Sequence, residues 1–362
     1  MASSRGWIYV ALAACVATMV QVAGAPVGTC PAVDPINRSI LLPDSSDCTL
    51  YYMCSNGAAI LMYCPPGLHF NPVSNVCDWP ANANCKKQCS PLADNRNGVW
   101  QPASCGKDTS EIGDRCSLQC NGEFELKGSA FVECTDNGWN SSNGENIPIC
   151  LPPVCIGENI DDDLNKTLSV KAGLLFILDE SGSVQESDFI KTKEFVKKII
   201  SKFELSENRS AGVITFSSTA VERIRLSESS TSSFLSAVDR IDYRAGGTDI
   251  LSSLNAALNE INNYAIHNLT LVFLITDGDS TTDGTPAADK IKAAGHPLFT
   301  IGVAQTRLLH LESLASAGDN GIKHFFHIRS YAVLESIGQY INPPSGSNSS
   351  EDKTQCLEPT VA

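Results

Sequence analysis

Five side chains with hydroxyl or carboxyl oxygens stand where strand-like stretches of the sequence end. Asp179, Ser181 and Ser183 follow an apolar run in the stretch LFILDESGSV. Thr248 comes after two glycines in RAGGTD, and Asp277 ends another apolar run in TDGDS. Two carboxylates and three hydroxyls form a set of hard oxygen donors, which suits Mg²⁺, with Mn²⁺ or Ca²⁺ as alternatives.

The surrounding segments predict how these residues come together. Apolar runs typical of strands alternate with helical periodicity. The runs lie at 172–178, 211–216, 269–276, 298–303 and 324–328. This alternation predicts an α/β, doubly wound parallel sheet, in which ligands bind at the carboxyl ends of the strands. Because Asp179 and Asp277 each end a strand, we expect them to meet there. The alternative is that serines such as Ser183 only cap the following helix.

The oxygen-bearing residues and the alternating elements resemble a von Willebrand factor type A domain with a metal-ion-dependent adhesion site. The resemblance implies direct metal ligation by Ser181, Ser183 and, in some states, Thr248. It implies that Asp179 and Asp277 often act through water. It also implies an open coordination position, which an acidic side chain of a protein partner fills. We assign this domain to residues 172–342.

The cysteines indicate further domains. Of the 15 cysteines, Cys15 lies within residues 1–24, twelve lie within residues 30–150, and Cys155 and Cys356 follow them. Such density is typical of an extracellular disulfide framework. Cys155 and Cys356 flank the α/β domain, whose termini should lie close together. A bridge between them would close a long loop and stabilise the fold by about 5 kcal/mol at most.

The first cysteine block, residues 28–87, predicts a β-hairpin with a turn at Asn56 and Gly57. The block resembles a peritrophin-type (type 2) chitin-binding domain. The matching residues are Tyr51, Tyr52, Cys54, Gly57, Cys64, Gly67, Phe70, Asn71, Cys77, Asp78, Trp79 and Cys85. The resemblance implies the pairs Cys30–Cys54, Cys48–Cys85 and Cys64–Cys77, which the spacing alone does not decide.

Chitin presents flat sugar faces and N-acetyl groups, which aromatic rings and Asn or Asp side chains can bind. The candidate contacts are Tyr63, Phe70, Asn71, Asp78 and Trp79. The alternative is that rings such as Tyr52, Phe70 and Trp79 only form the core of a very small domain.

The second block, residues 88–152, resembles a sushi (complement control) module. The matching stretch is GDRCSLQCNGEFELKGSAFVECTDNGW, and the block ends in PIC. The resemblance implies the pairs Cys89–Cys134 and Cys120–Cys150, with Cys105–Cys116 as an extra pair like that of selectin modules. It also implies a core position for Trp139. Nothing marks a ligand site, so we expect a spacer, followed by a linker at 153–171 with a solvated acidic run.

Charge and the chain ends indicate where the protein acts. The formal charge of −14 argues against binding nucleic acid or anionic membranes. Residues 1–24 combine Arg5, an apolar stretch and final small residues, which predicts a signal peptide and a secreted protein. We expect no membrane insertion and a polar tail at 343–362. Six sequons are glycosylation candidates, namely Asn37, Asn140, Asn165, Asn208, Asn268 and Asn348.

No enzyme is predicted, because the sequence lacks a Gly-x-Ser-x-Gly motif and each mature cysteine has an expected partner. We therefore predict a non-catalytic adaptor that binds chitin at one end and an acidic protein ligand through Mg²⁺ at the other. The combination resembles invertebrate shell and cuticle matrix proteins, which implies a role in an extracellular, mineralising matrix. The alternative is a humoral immune protein that binds chitin on microbes and recruits an effector.

Overall fold

The structure, a computed structural model, covers most of the chain. The described residues are 26–35, 39–45, 47–85, 88–95, 97–135, 138–141, 147–168, 170–278, 280, 282–304, 308–318, 323–341 and 356. The predicted signal peptide and the sequons at Asn37 and Asn348 lie outside them. The chain divides into two compact units, residues 1–87 and 88–362. Within the described ranges, every helix falls short of the length and apolar character that crossing a membrane requires.

The first unit consists of short antiparallel strands. They are β1 Leu41–Pro43, β2 Leu50–Ser55, β3 Ala58–Tyr63, β4 His69–Asn71 and β5 Val76–Asp78. β2 and β3 form the expected hairpin, and the φ angles of Asn56 and Gly57 in its turn are 49° and 85°, which these two residue types tolerate best. Three disulfides tie the unit together in the pairs that the resemblance implies: Cys30–Cys54, Cys48–Cys85 and Cys64–Cys77.

The second unit begins with a β-rich part that ends at residue 151. It contains β6 Gln88–Cys89, β7 Gly98–Gln101, a 3-10 helix Ala103–Gly106, β8 Ser110–Glu111, β9 Arg115–Cys120, β10 Glu125–Lys127, β11 Val132–Thr135, β12 Gly138–Ser141 and β13 Ile149–Leu151. The disulfides are again the expected ones: Cys89–Cys134, Cys105–Cys116 and Cys120–Cys150. Trp139 packs against the small core but stays half-buried, and Trp100 is the buried tryptophan that fills it.

An α/β part follows. Its strands are β14 Ala172–Asp179, β15 Arg209–Phe216, β16 Ala220–Glu228, β17 Leu269–Thr276, β18 Leu298–Val303 and β19 Phe325–Ile328. Its helices are α1 Pro153–Leu168, α2 Glu186–Phe203, α3 Thr231–Asp239, α4 Ile250–Tyr264, α5 Thr285–Ala293, α6 Leu308–Leu314 and α7 Tyr331–Ile341. Five strands run parallel in the order β19-β18-β17-β14-β15, which confirms the predicted doubly wound sheet.

The apolar runs arise because the central strands are buried on both faces. Along β14, Leu174, Phe176 and Leu178 belong to one hydrophobic cluster, while Leu175 and Ile177 belong to another. Successive side chains of a strand point to opposite faces of the sheet, so both faces need apolar residues. The sheet therefore has a core on each side, and its strand ends form a rigid platform for the loops.

The edge strand β16 was not predicted. It runs antiparallel to β15 and alternates charged with apolar residues, as half-buried edge strands do. Val213 pairs with Ile224, whereas the next residue of β15, Ile214, pairs with Glu222. Arg223 is therefore the extra residue of a β-bulge, a feature that redirects a side chain.

The expected linker at 153–171 is wrong for most of its length, because residues 153–168 form helix α1. Ile156, Ile160 and Leu164 are spaced by four residues and buried, so they place one face of α1 in the core. α1 also lies tightly against α7. A Cβ on Gly157 would approach the Cβ of Tyr340 to 2.6 Å, so only glycine permits this contact.

The acidic run of α1 is held by basic side chains and is not simply solvated. Asp161 lies 3.6 Å from the ammonium of Lys202, and Asp163 lies 3.3 Å from the imidazole of His324. Near the start of the same helix, Cys155 forms a disulfide with Cys356. The C-terminal tail is thereby joined covalently to α1.

The β-rich and α/β parts share one sheet. β10 pairs with both β13 and β19, which gives the order β13-β10-β19-β18-β17-β14-β15-β16. At this junction the buried Glu125 accepts a hydrogen bond from the backbone N–H of Arg329 at 2.8 Å. The buried Glu312 accepts one from the N–H of Ala130 at 2.7 Å. The module expected to be a spacer is therefore fixed against its neighbour within one compact unit.

Candidate metal centre and carbohydrate surface

The five predicted oxygen donors converge at the carboxyl ends of β14 and β17. The hydroxyls of Ser181 and Ser183 lie 3.0 Å apart, and Ser183 donates to Asp277 Oδ1 at 2.8 Å. The N–H of Ser181 donates to Asp179 Oδ1 at 2.7 Å. Thr248 lies beside the same site. A Cβ atom placed on Gly278 would be 2.9 Å from Thr248 Oγ1 and 3.4 Å from Asp179 Oδ2, so all three residues are neighbours.

Burial disfavours the ionised form of both carboxyl groups. Asp179 is 2 % exposed, and burial together with the charge of Asp277 raises its pKa to about 6, despite hydrogen bonds from Ser181 and Thr276. Burial also raises the pKa of Asp277, with a further contribution from the charge of Asp188. A buried carboxylate whose ionisation a neighbouring negative charge opposes is stabilised by a nearby cation.

The donor set fits a small, hard dication. Among the described residues, no three His, Cys, Asp or Glu side chains lie close enough to hold a metal. A metal held here would therefore need the hydroxyls of Ser181, Ser183 and Thr248 as well as the two carboxylates. Oxygen donors of this kind suit Mg²⁺, Mn²⁺ and Ca²⁺. The exposed position of Ser183 leaves the site open on one side.

Two residues near the site were missed by the sequence analysis. The Tyr243 hydroxyl lies 2.9 Å from the carbonyl of Ser181 and 2.5 Å from that of Val184, so it braces the loop between β14 and α2. Asp188, at the start of α2, pairs with Lys191 at 2.7 Å and is close enough to influence Asp277. Neither residue lies in a recognisable spacing pattern, so the sequence offered no signal for them.

Tyr63 and Trp79 expose their aromatic rings on the surface of the first unit. Their exposed fractions are 70 % and 66 %, which is unusual for large aromatic side chains. Asp78 is half-buried, and one of its carboxylate oxygens accepts a hydrogen bond from the N–H of Trp79 at 2.7 Å. Val73 and Val76, which the sequence analysis did not select, add exposed apolar surface to the β4–β5 hairpin.

Phe70 and Asn71 do not fit the role that we predicted for them. Phe70 is 1 % exposed and stacks on Tyr51 with the ring centroids 4.7 Å apart, so its ring belongs to the core. Asn71 is buried, donates to the carbonyl of Asn82 and accepts from the N–H groups of Val73 and Ser74. Its amide therefore holds the hairpin in shape. Because both side chains point inward, they support the surface without touching a ligand.

Four of the predicted glycosylation sites are described. Asn165, Asn208 and Asn268 are exposed, and Asn140 is half-buried. These positions allow a glycan to be attached, and modification of any of them stays a prediction.

Comparison with protein families identifies three domains. Residues 37–85 match the Chitin binding Peritrophin-A domain, residues 89–150 match the Sushi repeat (SCR repeat), and residues 174–339 match the von Willebrand factor type A domain. The three matches follow one another along the chain and confirm the domain resemblances.

Two curated relatives are similar to about half of this chain. A mouse collagen alpha-4(VI) chain is 32 % identical over 174 residues, which cover 47 % of this chain and 7 % of the collagen. A rat protein named Sushi, von Willebrand factor type A, EGF and pentraxin domain-containing protein 1 is 30 % identical over 204 residues, covering 53 % of this chain and 6 % of the relative. This chain thus spans less than a tenth of either relative.

Among solved structures, proximal thread matrix protein 1 from the mussel byssus is similar over 48 % of this chain and 47 % of its own. The sequence identity is 22 % and the TM-score is 0.44.

Proposed function

We propose that this chain, with its Peritrophin-A domain, Sushi repeat and von Willebrand factor type A domain, is a secreted, non-catalytic adaptor of an extracellular matrix. The first domain binds chitin, and the last binds an acidic protein ligand through Mg²⁺. The similarity to a collagen chain supports a matrix role over an immune one.

The convergence of five oxygen donors on one strand-end edge supports the metal-dependent half of this proposal. Ser181, Ser183 and Thr248 offer neutral ligands, while Asp179 and Asp277 supply the negative charge that holds the ion. A bound dication supplies the Lewis acidity that attracts a carboxylate from a partner. The exposed side at Ser183 is where that carboxylate enters.

The chitin-binding half is supported by the exposed rings of Tyr63 and Trp79. An aromatic face covers the C–H face of a sugar, and neighbouring carboxylate oxygens accept hydrogen bonds from hydroxyl and amide groups. The two halves use different chemistry, so each should bind without the other.

The proposal is tested by loading the mature protein on chitin beads and passing extract of the source tissue over them in Mg²⁺. EDTA then releases whatever the metal holds, and mass spectrometry identifies it. We expect a released protein rich in exposed Asp or Glu from wild type and none from Asp179→Ala.

The matched control is Asp289→Ala, which removes an exposed carboxylate paired with Lys292 on helix α5. This control should behave as wild type throughout. Failure of the wild type to stay on chitin contradicts the chitin half, and a partner retained equally by Asp179→Ala contradicts the metal half. An eluted protein of the immune effector class would favour the immune alternative.

A further inference from the structure

The loop that carries Ser181 and Ser183 is anchored by a residue within the motif itself. Glu180 lies between the first two candidate ligands in sequence and is 1 % exposed. Its N–H donates to the carbonyl of Phe216 on β15 at 2.8 Å. A fully buried carboxylate is costly unless it is paired and hydrogen-bonded, so the partners of Glu180 decide how firmly the loop is held.

Those partners lie on the edge hairpin of the sheet. Arg223 Nη2 donates to the two oxygens of Glu180 at 2.8 and 3.0 Å, and the Thr215 hydroxyl donates to Oε1 at 3.0 Å. Arg223 Nε also donates to the Thr215 hydroxyl at 2.6 Å. The guanidinium thus holds the carboxylate directly and orients the hydroxyl that supports it.

The β-bulge explains how an edge residue reaches so far inward. Arg223 is the extra residue of β16 between the pairs that Ile224 and Glu222 make with β15. Its side chain is only 11 % exposed, whereas the side chain of Arg225, two residues further, is 55 % exposed. Bulges commonly redirect side chains beside functional sites.

The same hairpin also holds the loop that carries Thr248. In the turn between β15 and β16, the carbonyl of Ser217 accepts a hydrogen bond from the N–H of Asp249 at 2.9 Å. The hydroxyl of Ser218 accepts one from the N–H of Gly247 at 2.9 Å. The β15–β16 hairpin therefore contacts both loops from which the candidate hydroxyl ligands come.

We propose that Arg223 is a positioning residue for the metal centre, acting through Glu180 to hold Ser181 and Ser183 in ligating geometry. This proposal rests on the proposed metal-binding function. Without the guanidinium, the buried Glu180 carboxylate loses the cation that holds it. The backbone between Asp179 and Ser181 is then less firmly anchored, which lets the ligands move apart.

The test compares wild type, Arg223→Gln, Arg223→Lys and the control Arg225→Gln, all as the full mature chain. Mn²⁺ affinity is measured by electron paramagnetic resonance of the free ion, and bound Tb³⁺ luminescence in H₂O and D₂O counts the waters on the metal. Substitution of a residue that supports a metal ligand typically lowers the metal affinity by about 10- to 100-fold. We expect Arg223→Gln to weaken Mn²⁺ binding by at least about tenfold and to add coordinated water.

Arg223→Lys keeps a positive charge beside Glu180 and should recover part of the affinity, while Arg225→Gln should stay within about twofold of wild type. The number of waters coordinated to Tb³⁺ distinguishes the displacement of a ligand, which adds water to the metal, from a general loss of stability. Wild type that binds no Mn²⁺ overturns the proposed function and this inference with it. If Arg223→Gln folds and binds Mn²⁺ with wild-type affinity and hydration, the inference alone is overturned. If Arg223→Gln does not fold, the same result in folded Arg223→Lys overturns it.

Discussion

Residues 26–85 and residues 172–341 place their candidate sites on scaffolds of opposite kinds. The first region uses three disulfides around a small core and displays Tyr63 and Trp79 on its surface. The second contains no cysteine and packs a parallel sheet between two hydrophobic clusters. Its site lies inside the strand-end loops, where Asp179 is buried. Disulfides thus suffice to hold a surface of exposed side chains, whereas side chains that must meet at one buried point need the rigid support of paired strands.

The largest functional effect, a complete loss of one binding activity, is expected from removing one cross-link of the first region. The double substitution Cys64→Ser and Cys77→Ser removes the entropy restriction of a short loop, worth about 3 kcal/mol. Domains of this size rarely have more than about 3–5 kcal/mol in total. Chitin retention on beads should be lost while Mn²⁺ affinity stays unchanged. Retention at the wild-type level would show that the core alone holds this region.

A core substitution tests the other scaffold. Phe176 is fully buried and stacks on Phe273 with the ring centroids 5.4 Å apart. Phe176→Ala should lower the free energy of unfolding of the second unit by about 3–5 kcal/mol, through lost packing and a residual cavity. Denaturant unfolding followed by circular dichroism measures the loss. Retention on chitin should not change, and a loss of it would contradict the independence of the two scaffolds.

An exposed ring should matter for binding and not for folding. Trp79→Ala should weaken chitin retention several-fold, because the flat apolar face of the ring would no longer cover the C–H face of a sugar. The thermal midpoint should stay within the small range typical of surface substitutions. Val33→Ala, which removes another exposed apolar side chain of the same region, is the matched control. Equal retention by both variants would remove Trp79 from the binding surface.

The smallest effect is the pH dependence of stability, and it concerns only the second unit. His296 is buried, which lowers its pKa from the ordinary value of 6.5, and its Nδ1 accepts a hydrogen bond from the N–H of Thr270 at 3.2 Å. The unfolded chain therefore takes up the proton at higher pH than the folded chain. The stability that the neutral ring contributes is complete above about pH 6.5 and declines as the pH falls through the lowered pKa.

Protonation should cost about 1 kcal/mol, the worth of the displaced hydrogen bond. His296→Asn keeps an acceptor for Thr270 and should flatten the pH dependence of the unfolding midpoint between pH 7 and 5, values chosen to span roughly the ordinary His range. His69→Asn, in the first region, is the control and should leave the second unit unchanged. An identical pH slope in wild type and His296→Asn would contradict this assignment.

Patterns that repeat in the sequence predicted much of the fold. The runs ending at Asp179 and Asp277 became β14 and β17, because burial on both faces demands continuous apolar residues. The convergence of both carboxylates followed from strand direction alone. The cysteine pairs needed the family resemblances, since spacing does not determine connectivity.

What the sequence did not predict depends on contacts between distant segments. β16 alternates charged and apolar residues, so it contains no continuous apolar run from which a strand could be predicted. The stripe of Ile156, Ile160 and Leu164 could have revealed α1, but the acidic run beside it suggested a linker. The inward direction of Phe70, the shared edge of β10 and β19, and the reach of Arg223 to Glu180 are tertiary facts without a local signature.

The path of the chain through β14 has a mechanical consequence. From the β-rich part the backbone passes through α1 into β14, whose last residue is Asp179. Along the covalent backbone, a pull between a chitin anchor and a partner held at the metal loop would run lengthwise along this strand. Parallel neighbours flank β14 on both sides, over eight positions with β15 and seven with β17. To draw the strand out, both ladders must shear together, so the tension is shared by many backbone hydrogen bonds at once.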